Sequence, residues 1–439
     1  MKSVDKFVPN SIEILNRLQL LHPKQIDLSL ERLVKLLRKL GNPHLKIPPT
    51  IHIAGTNGKG STVTFLRYLL EEHGFTTHTY TSPHLIEFNE RIRIRSKIIS
   101  NKLLNSLLEE CEKCNSNNPI TFFEITTAAA LLAFSREKAD FLILETGLGG
   151  KYDATNVVEN KICNVLTPIS MDHMGFLGNS LRSITNEKIG ILKNSTQTVI
   201  SPQKSIVNKI IENFAIQKKI KLFSYKKTWE ITKIDEKRQK FFYRFSDEIN
   251  EYSIPKLFGK HQIFNSALAL TVFKTICKDK INHSIVNKAL KKTKWPARMQ
   301  KLSNGPLNRL SSEKFELWLD GGHNNEAGIL LSKTLEKWKK EEIFLVVGMI
   351  KGKTPKKFID HLIPYLKCTV VIPVEGHQFI SPKKIVNFYK GSGEKIIVKE
   401  NIEQSIKYIS KNFLGGKIII CGSLYLAGNI LKKNKFRIN

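Results

Sequence analysis

A chain of 439 residues, 41% hydrophobic and 25% charged, is long enough for two or three domains with full cores. No apolar run approaches the roughly 18 residues of a membrane span, which excludes a membrane-spanning helix and leaves no membrane partner expected. The formal net charge of +31 comes from lysines spread through every segment, which argues for solvated helix faces and attraction of anionic small molecules over a nucleic-acid partner.

In chain order, Met1-Lys-Ser-Val-Asp-Lys leads into amphipathic sequence, so no signal peptide is expected and the chain reads as cytoplasmic. Ile51-His-Ile-Ala-Gly-Thr-Asn-Gly-Lys-Gly-Ser-Thr62 is a short apolar strand, a Gly-rich turn and the start of an amphipathic helix. Backbone N–H groups in such a turn, with the helix N-terminus, form a cradle for phosphate. Thr56, Asn57, Gly58 and Gly60 would wall it, Lys59 would reach the outer phosphates, and Ser61 or Thr62 would add a hydroxyl. The common spelling G-x-x-x-x-G-K-[ST] is not met. Ile53 stands at the first glycine, and Gly60 separates Lys59 from Ser61.

Val63, Phe65, Leu66, Leu69 and Leu70 predict a helical face that stops at Gly74. Strands are predicted at 76–80, 141–145 and 162–169, and helices at 123–136 and up to Glu187-Lys188. Cys111-x-x-Cys114 lacks a second pair or spaced histidines, so all six cysteines are expected as free thiols. Residues 222–254, rich in aromatics and charges, predict a peripheral β insertion. Trp295-Pro296 is the expected boundary between residues 1–294 and 295–439. Beyond it, 317–320, 343–349, 369–374 and 417–422 read as buried strands of a second α/β unit.

Ligands in open α/β sheets collect at the C-terminal ends of strands. The Lys59 loop, Ser82, Glu145 and His173 each follow a different predicted strand. A carboxylate such as Glu145 at the end of an apolar strand calls for a cation.

Gly55-Thr-Asn-Gly-Lys-Gly-Ser61 resembles the ATP loop of the Mur ligase superfamily, and more closely that of its bifunctional dihydrofolate synthase/folylpolyglutamate synthase branch. Other segments follow in family order. They are Leu21-His-Pro-Lys-Gln-Ile-Asp-Leu28, Tyr80-Thr-Ser-Pro-His-Leu85, Phe88-Asn-Glu-Arg91, Glu145-Thr-Gly-Leu-Gly-Gly150, Asp153-Ala-Thr-Asn156, Asp172-His173 and Glu187-Lys188. His261-Gln262 with Asn265, Trp295-Pro-Ala-Arg298, Asp320-Gly-Gly-His-Asn324 and Gly422-Ser-Leu-Tyr-Leu-Ala-Gly428 complete the set. The resemblance implies an α/β fold: a P-loop-type, mostly parallel ATPase domain plus a smaller Rossmann-like C-terminal domain.

It also implies roles. Lys59, Glu145, His173 and Lys188 would be catalytic. Ser82, Glu145, His173 and Lys188 would hold two Mg²⁺ ions, with Lys188 carboxylated on its amine. Ile189 stands where that motif usually has alanine. Asn265, Arg298, Asp320 and His323 would contact ATP, the Arg298 fork being suited to phosphate. Ile26, Asp27, Leu28, Thr121, Phe122, Phe123, Glu124, Asp153 and Ala154 would hold the pterin, with Asp27 meeting its N–H donors. His323 or Ser423 would meet the incoming glutamate. Lys151 replaces a usual arginine, and Ala297, Gly322 and Asn325 replace the usual Gly, Ala and Pro.

The implied reaction is ATP-dependent ligation of L-glutamate to 7,8-dihydropteroate and to the γ-carboxylate of reduced folates, by a monomer. The alternative is a folylpolyglutamate synthase only; single-function members often differ at His84, which is present here. A cell-wall Mur ligase is expected to carry a further domain ahead of a loop that begins here by residue 55. A non-catalytic nucleotide-binding module would keep the loop without Ser82, Glu145, His173 and Lys188.

Overall fold

The computed structural model describes residues 11–24, 26–193, 195–277 and 280–438. The Met1-Lys-Ser-Val-Asp-Lys opening and Gln25 lie outside them. Short apolar runs rich in β-branched residues make a sheet buried on both faces. Its strand order is Lys97–Ile98, Ile92–Ile94, Thr77–Tyr80, Phe141–Glu145, Thr50–Ala54, Lys161–Leu166, Thr198–Ile200, Leu222–Ser224. The six strands from Thr77–Tyr80 onward pair in parallel, and the 92–98 hairpin is antiparallel on the edge.

Successive side chains of a strand point to opposite faces, and both faces here are covered. Leu142 and Leu144 pack into one core with helices Asn101–Asn115 and Phe122–Arg136. Ile143, between them, packs into the other with Phe65 and Leu69 of Lys59–Glu72 and Leu268 of Lys260–Ile276. The 222–254 segment supplies the last strand of this sheet and an antiparallel meander, Trp229–Asp235, Lys240–Phe245 and Glu248–Ser253. The meander is less peripheral than its composition predicts. Trp229, Phe241, Tyr243 and Tyr252 are fully buried, and the Tyr243 hydroxyl lies 2.9 Å from Thr271 Oγ1 on the Lys260–Ile276 helix.

The second sheet runs Gln300–Leu302, Phe315–Leu319, Gly416–Cys421, Ile343–Val347, Cys368–Val371, Ile396–Val398. All its pairs are parallel except the first. Its four long strands match the predicted runs to within a few residues. Gln300–Leu302 and Ile396–Val398, three residues each, are too short to leave a readable period and went unpredicted. Loops after the strands of both sheets meet: Asn57 hydrogen-bonds Asn324, and Asp172 pairs with Lys353. Leu85 and Ile86 of the first domain pack into the core of the second.

All six cysteines are free, five of them buried. No helix among the described residues is long and apolar enough to cross a membrane.

Candidate active site

The phosphate loop owes its shape to glycines. Gly55 and Gly58 take φ of +149° and +87°, a region L side chains rarely adopt. Room matters as much. A Cβ on Gly58 would sit 2.7 Å from Asn265 Oδ1, and one on Gly60 would sit 2.9 Å from the Trp295 ring. Asn265 and Trp295 therefore reach the loop from distant parts of the chain because nothing stands in the way. The Lys59–Glu72 helix has no side-chain cap, and the Thr62 N–H donates to Gly58 O at 2.9 Å. The N–H groups of its first turn, Lys59, Gly60 and Ser61, have no intrahelical acceptor and suit an anion.

Lys59 folds over the loop, its Nζ 3.1 Å from Gly55 O and 3.4 Å from Thr56 O. Lys188, at the end of helix Leu181–Ile189, donates to the same Gly55 carbonyl at 3.0 Å. Lys188 is buried; burial, then the Lys59 charge, brings its pKa down to about 7. Glu145 ends its strand 4% exposed, with Oε2 accepting the Ser82 N–H at 3.2 Å. Burial pushes its pKa up, against the opposing charges of Lys59 and Arg298. Such a carboxylate suits a cation. Three buried oxygens nearby in sequence to these groups, Thr62 Oγ1, Ser170 Oγ and Glu187 Oε2, have no hydrogen-bond partner.

One cavity is lined by Thr56, Lys59, Gly147, Asp172, His173 and Lys188 among others. It thus brings together three of the four expected catalytic residues, with Glu145 just before the Thr146 that also lines it. Among the described residues, no three His, Cys, Asp or Glu side chains converge as a metal cluster. Mg²⁺ commonly keeps hydroxyl, phosphate and water oxygens among its ligands.

Arg298 arrives from beyond Trp295, flanked by Ala297 and Met299 at φ +54° and +43°. The glycine usual at 297 would take that conformation freely; alanine takes it under strain. Arg298 Nη1 donates to Ala297 O at 2.9 Å. Asp320 accepts the Met299 N–H at 2.8 Å and the Gly322 N–H at 2.7 Å, so its two oxygens brace the Arg298 and His323 turns. A ribose contact would have to share them. His323 Nδ1 is 2.9 Å from Gly321 O, and its Nε2 faces Asp172 Oδ2 at 3.7 Å.

On the pterin side, Thr121 and Glu124 form a capping box on Phe122–Arg136. Asp27 is bound to Arg32 at 2.9 Å, and Arg32 also reaches Glu124 at 3.1 Å. The Asp27 carboxylate thus already has a cationic partner, which sequence reasoning missed. Ile26 is exposed, Leu28 half-buried and Ala154 buried. Phe122 packs against the first core, while Phe123 covers Gly147, where any Cβ would strike its ring. Asp153 is 2% exposed and accepts the Leu148 N–H at 2.8 Å, the Thr155 N–H at 3.0 Å and the Thr155 hydroxyl at 2.5 Å. It holds the Gly147–Gly150 turn. Ser423 is likewise committed, its hydroxyl capping Leu424–Lys433 by accepting the Tyr425 N–H at 3.1 Å. His84 Nδ1 accepts from Arg91 Nε at 2.9 Å; burial and that guanidinium push its pKa down to about 3.

Two residues carry more than their sequence context suggested. Asp172 accepts Lys353 Nζ at 2.8 Å and Asn324 Nδ2 at 3.1 Å. Against the cost of burial, His323, His173 and Lys353 hold its pKa well below the usual carboxylate range. Lys353 sits in a lysine-rich loop, and no local pattern sets it apart from Lys351 or Lys356.

A Gly-rich phosphate loop, a buried carboxylate beside it, two lysines on one loop carbonyl and a second α/β domain docked over them define an ATP-dependent ligase of the Mur type. Residues 53–273 match the Mur ligase middle domain, and residues 301–433 match the C-terminal domain of dihydrofolate synthetase. The dihydrofolate synthase/folylpolyglutamate synthase of Bacillus subtilis (strain 168) is 32% identical over 424 residues, covering 92% of this chain and 95% of its own. The dihydrofolate synthetase of Saccharomyces cerevisiae is 30% identical, covering 93% and 98%. The bifunctional folylpolyglutamate synthase/dihydrofolate synthase of Yersinia pestis, solved with AMPPNP and Mn ion, superposes with a TM-score of 0.84 at 25% identity, covering 97% and 98%. The chain belongs to the dihydrofolate synthase/folylpolyglutamate synthase family.

Proposed function

We propose that this chain ligates L-glutamate to 7,8-dihydropteroate, forming dihydrofolate, and to the γ-carboxylate of reduced folates, each time with ATP through an acyl phosphate. The carrying observation is the meeting of Lys59 and Lys188 on the Gly55 carbonyl, beside the buried Glu145. Such a site is built for phosphoryl transfer.

An oxygen of the acceptor carboxylate attacks the γ-phosphorus, and the bond to the leaving ADP oxygen breaks. The glutamate amine then attacks the acyl carbon, loses a proton, and phosphate departs from the tetrahedral intermediate. Lys59 and Arg298 spread the charge of the transferring phosphoryl group, and the first-turn N–H groups hold the phosphates between them. Thr56, Asn57, Gly58, Gly60, Ser61 and Asn265 shape the nucleotide cradle. Asp320 and His323 complete it from the second domain. Docking of that domain excludes the water that would hydrolyse the acyl phosphate.

Ser82, Glu145, His173 and a carboxylated Lys188 would hold two Mg²⁺ ions, which when bound neutralise phosphate charge. Support comes from the amine itself. With a pKa near 7 it is partly neutral at physiological pH, and the neutral amine is the form that adds CO₂. The product replaces a buried cation with an anion next to Lys59. The Mn ion of the Y. pestis relative supports a divalent metal.

The Phe123 and Gly147–Asp153 region forms the acceptor side, with Ile26, Asp27, Leu28, Thr121, Phe122, Glu124 and Ala154 around it, and Ser423 near the glutamate. We place the domain division between 294 and 295, a reading supported by family matches that end at 273 and resume at 301. The enzyme works as a cytoplasmic monomer on small molecules, without nucleic acid or membrane. One observation favours the narrower alternative, a folylpolyglutamate synthase alone: Asp27 is spoken for by Arg32. Phosphate release from ATP and L-glutamate, with dihydropteroate or tetrahydrofolate as acceptor, separates the two. Release with both supports the bifunctional reading. Release with tetrahydrofolate alone overturns its first half, and silence with both overturns it entirely.

A further inference from the structure

Three groups of the second domain converge on one carboxylate of the first. Asp172 accepts Lys353 Nζ at 2.8 Å and Asn324 Nδ2 at 3.1 Å, and His323 Nε2 stands 3.7 Å away. The same Asn324 amide donates to Asn57 Oδ1 in the phosphate loop at 3.0 Å, and Asn57 Nδ2 returns to Asn324 Oδ1 at 3.4 Å. The Lys353 and Asp172 side chains are only 11% and 12% exposed. By contrast, Lys204 in the Lys204–Glu326 pair, another link between the domains, is 56% exposed and is screened by water and salt.

The position of the pair matters as much as its burial. Asp172 directly precedes His173, and Asn57 lies two residues before Lys59. Domain docking and site assembly thus run through the same side chains. Lys353 itself lines no part of the cavity around Lys59 and Lys188.

We propose that Asp172 is the seat on which the second domain registers over the phosphate loop, and that Lys353 is the positioning residue that holds it there. Lys353 acts through Asp172 and touches no reacting atom. Its loss leaves a buried carboxylate without the lysine that meets it at 2.8 Å. The second domain then sits loosely, Arg298 is misplaced, and water reaches the acyl phosphate. This last consequence rests on the ligase reading above; the registration itself does not.

The test uses the full chain with Lys353→Met, which keeps the aliphatic stem, and Lys353→Arg, which restores the charge. Two quantities are read: the radius of gyration of the ligand-free protein by small-angle scattering, and phosphate released per amide product formed. Lys353→Met is expected to enlarge the radius of gyration, to raise the phosphate-to-product ratio several-fold above one, and to lower kcat by at least about tenfold. Lys353→Arg is expected to return both readings towards wild type. A Lys353→Met protein with the wild-type radius of gyration and one phosphate per product overturns the proposal. If Lys353→Met does not fold, Lys353→Gln is read by the same two criteria. A wild-type chain that turns over no acceptor overturns the ligase reading, and the scattering comparison then decides registration alone.

Discussion

Lys59 and Lys188, 129 positions apart, donate to one backbone carbonyl, Gly55 O, at 3.1 and 3.0 Å. Burial makes the charge of Lys188 costly, and the Lys59 ammonium on the same acceptor adds repulsion. The pKa of Lys188 near 7 records that cost. Carboxylation of the amine, as proposed above, would remove it. With ¹³C-bicarbonate, the wild type is expected to show a carbamate resonance by NMR that is missing from Lys188→Arg. That variant is also expected to lose most of its turnover. A carbamate signal that persists in Lys188→Arg would place it on another amine.

Lys161 offers a second buried amine, remote from the phosphate loop. Its Nζ donates to Asn156 Oδ1 at 2.7 Å and Ile191 O at 2.9 Å, and burial, then Lys193, lowers its pKa to about 7. Both lysines start from 10.5 when unfolded. Below about pH 7 both states carry the proton, and the full cost of burying the charge is present. Above it the unfolded chain holds a proton the folded chain lacks, so stability rises with pH by up to about 1.4 kcal/mol per pH unit for each lysine. In CO₂-free buffer, calorimetry should show Tm climbing from pH 7 to 9. Lys161→Met should remove its share of the slope, and an unchanged slope would contradict the lowered pKa.

Glu145 is costly to bury and useful only with a cation beside it. Glu145→Gln keeps the shape and an acceptor for the Ser82 N–H while removing the charge. Turnover is expected to fall by about 10²-fold or more, with Tm unchanged or higher. A folded variant with wild-type phosphate release would remove Glu145 from the metal site.

Ala297 holds a left-handed conformation at φ +54°. Ala297→Gly relieves about 1–2 kcal/mol of backbone strain and returns about 0.5–1 kcal/mol in chain entropy. A net gain of up to about 1 kcal/mol is expected in the denaturant midpoint, with kcat little changed. A lower midpoint would mean that the Ala297 methyl, fully buried in the core of the second domain, contributes more than its backbone costs.

Local sequence carried much of this protein. Apolar runs such as 141–144 and 343–347 marked central strands, because a strand buried on both faces tends to be apolar along its length. The phosphate loop was legible for a related reason: a backbone that turns tightly and approaches a ligand or a neighbour closely needs glycine, and Gly55, Gly58 and Gly60 fall in one short stretch. Glu145 stood out as a charge at the end of such a run. In each case the residues that cause the feature lie within a few positions of one another.

What the sequence alone left open was partnership. Arg32 on Glu124, and above all Lys353 on Asp172, join residues far apart in the chain whose own surroundings say nothing about each other. A lysine among many lysines has no period and no cap position to mark it. Its role is created when two sheets bring loops 181 residues apart into contact, and the same contact decides that Asp172 is a docking point as well as a neighbour of His173. Secondary structure and loop shape follow from local sterics and the spacing of apolar residues. The pairing of charges across a cleft follows from burial and distance, and these exist only once the chain has folded.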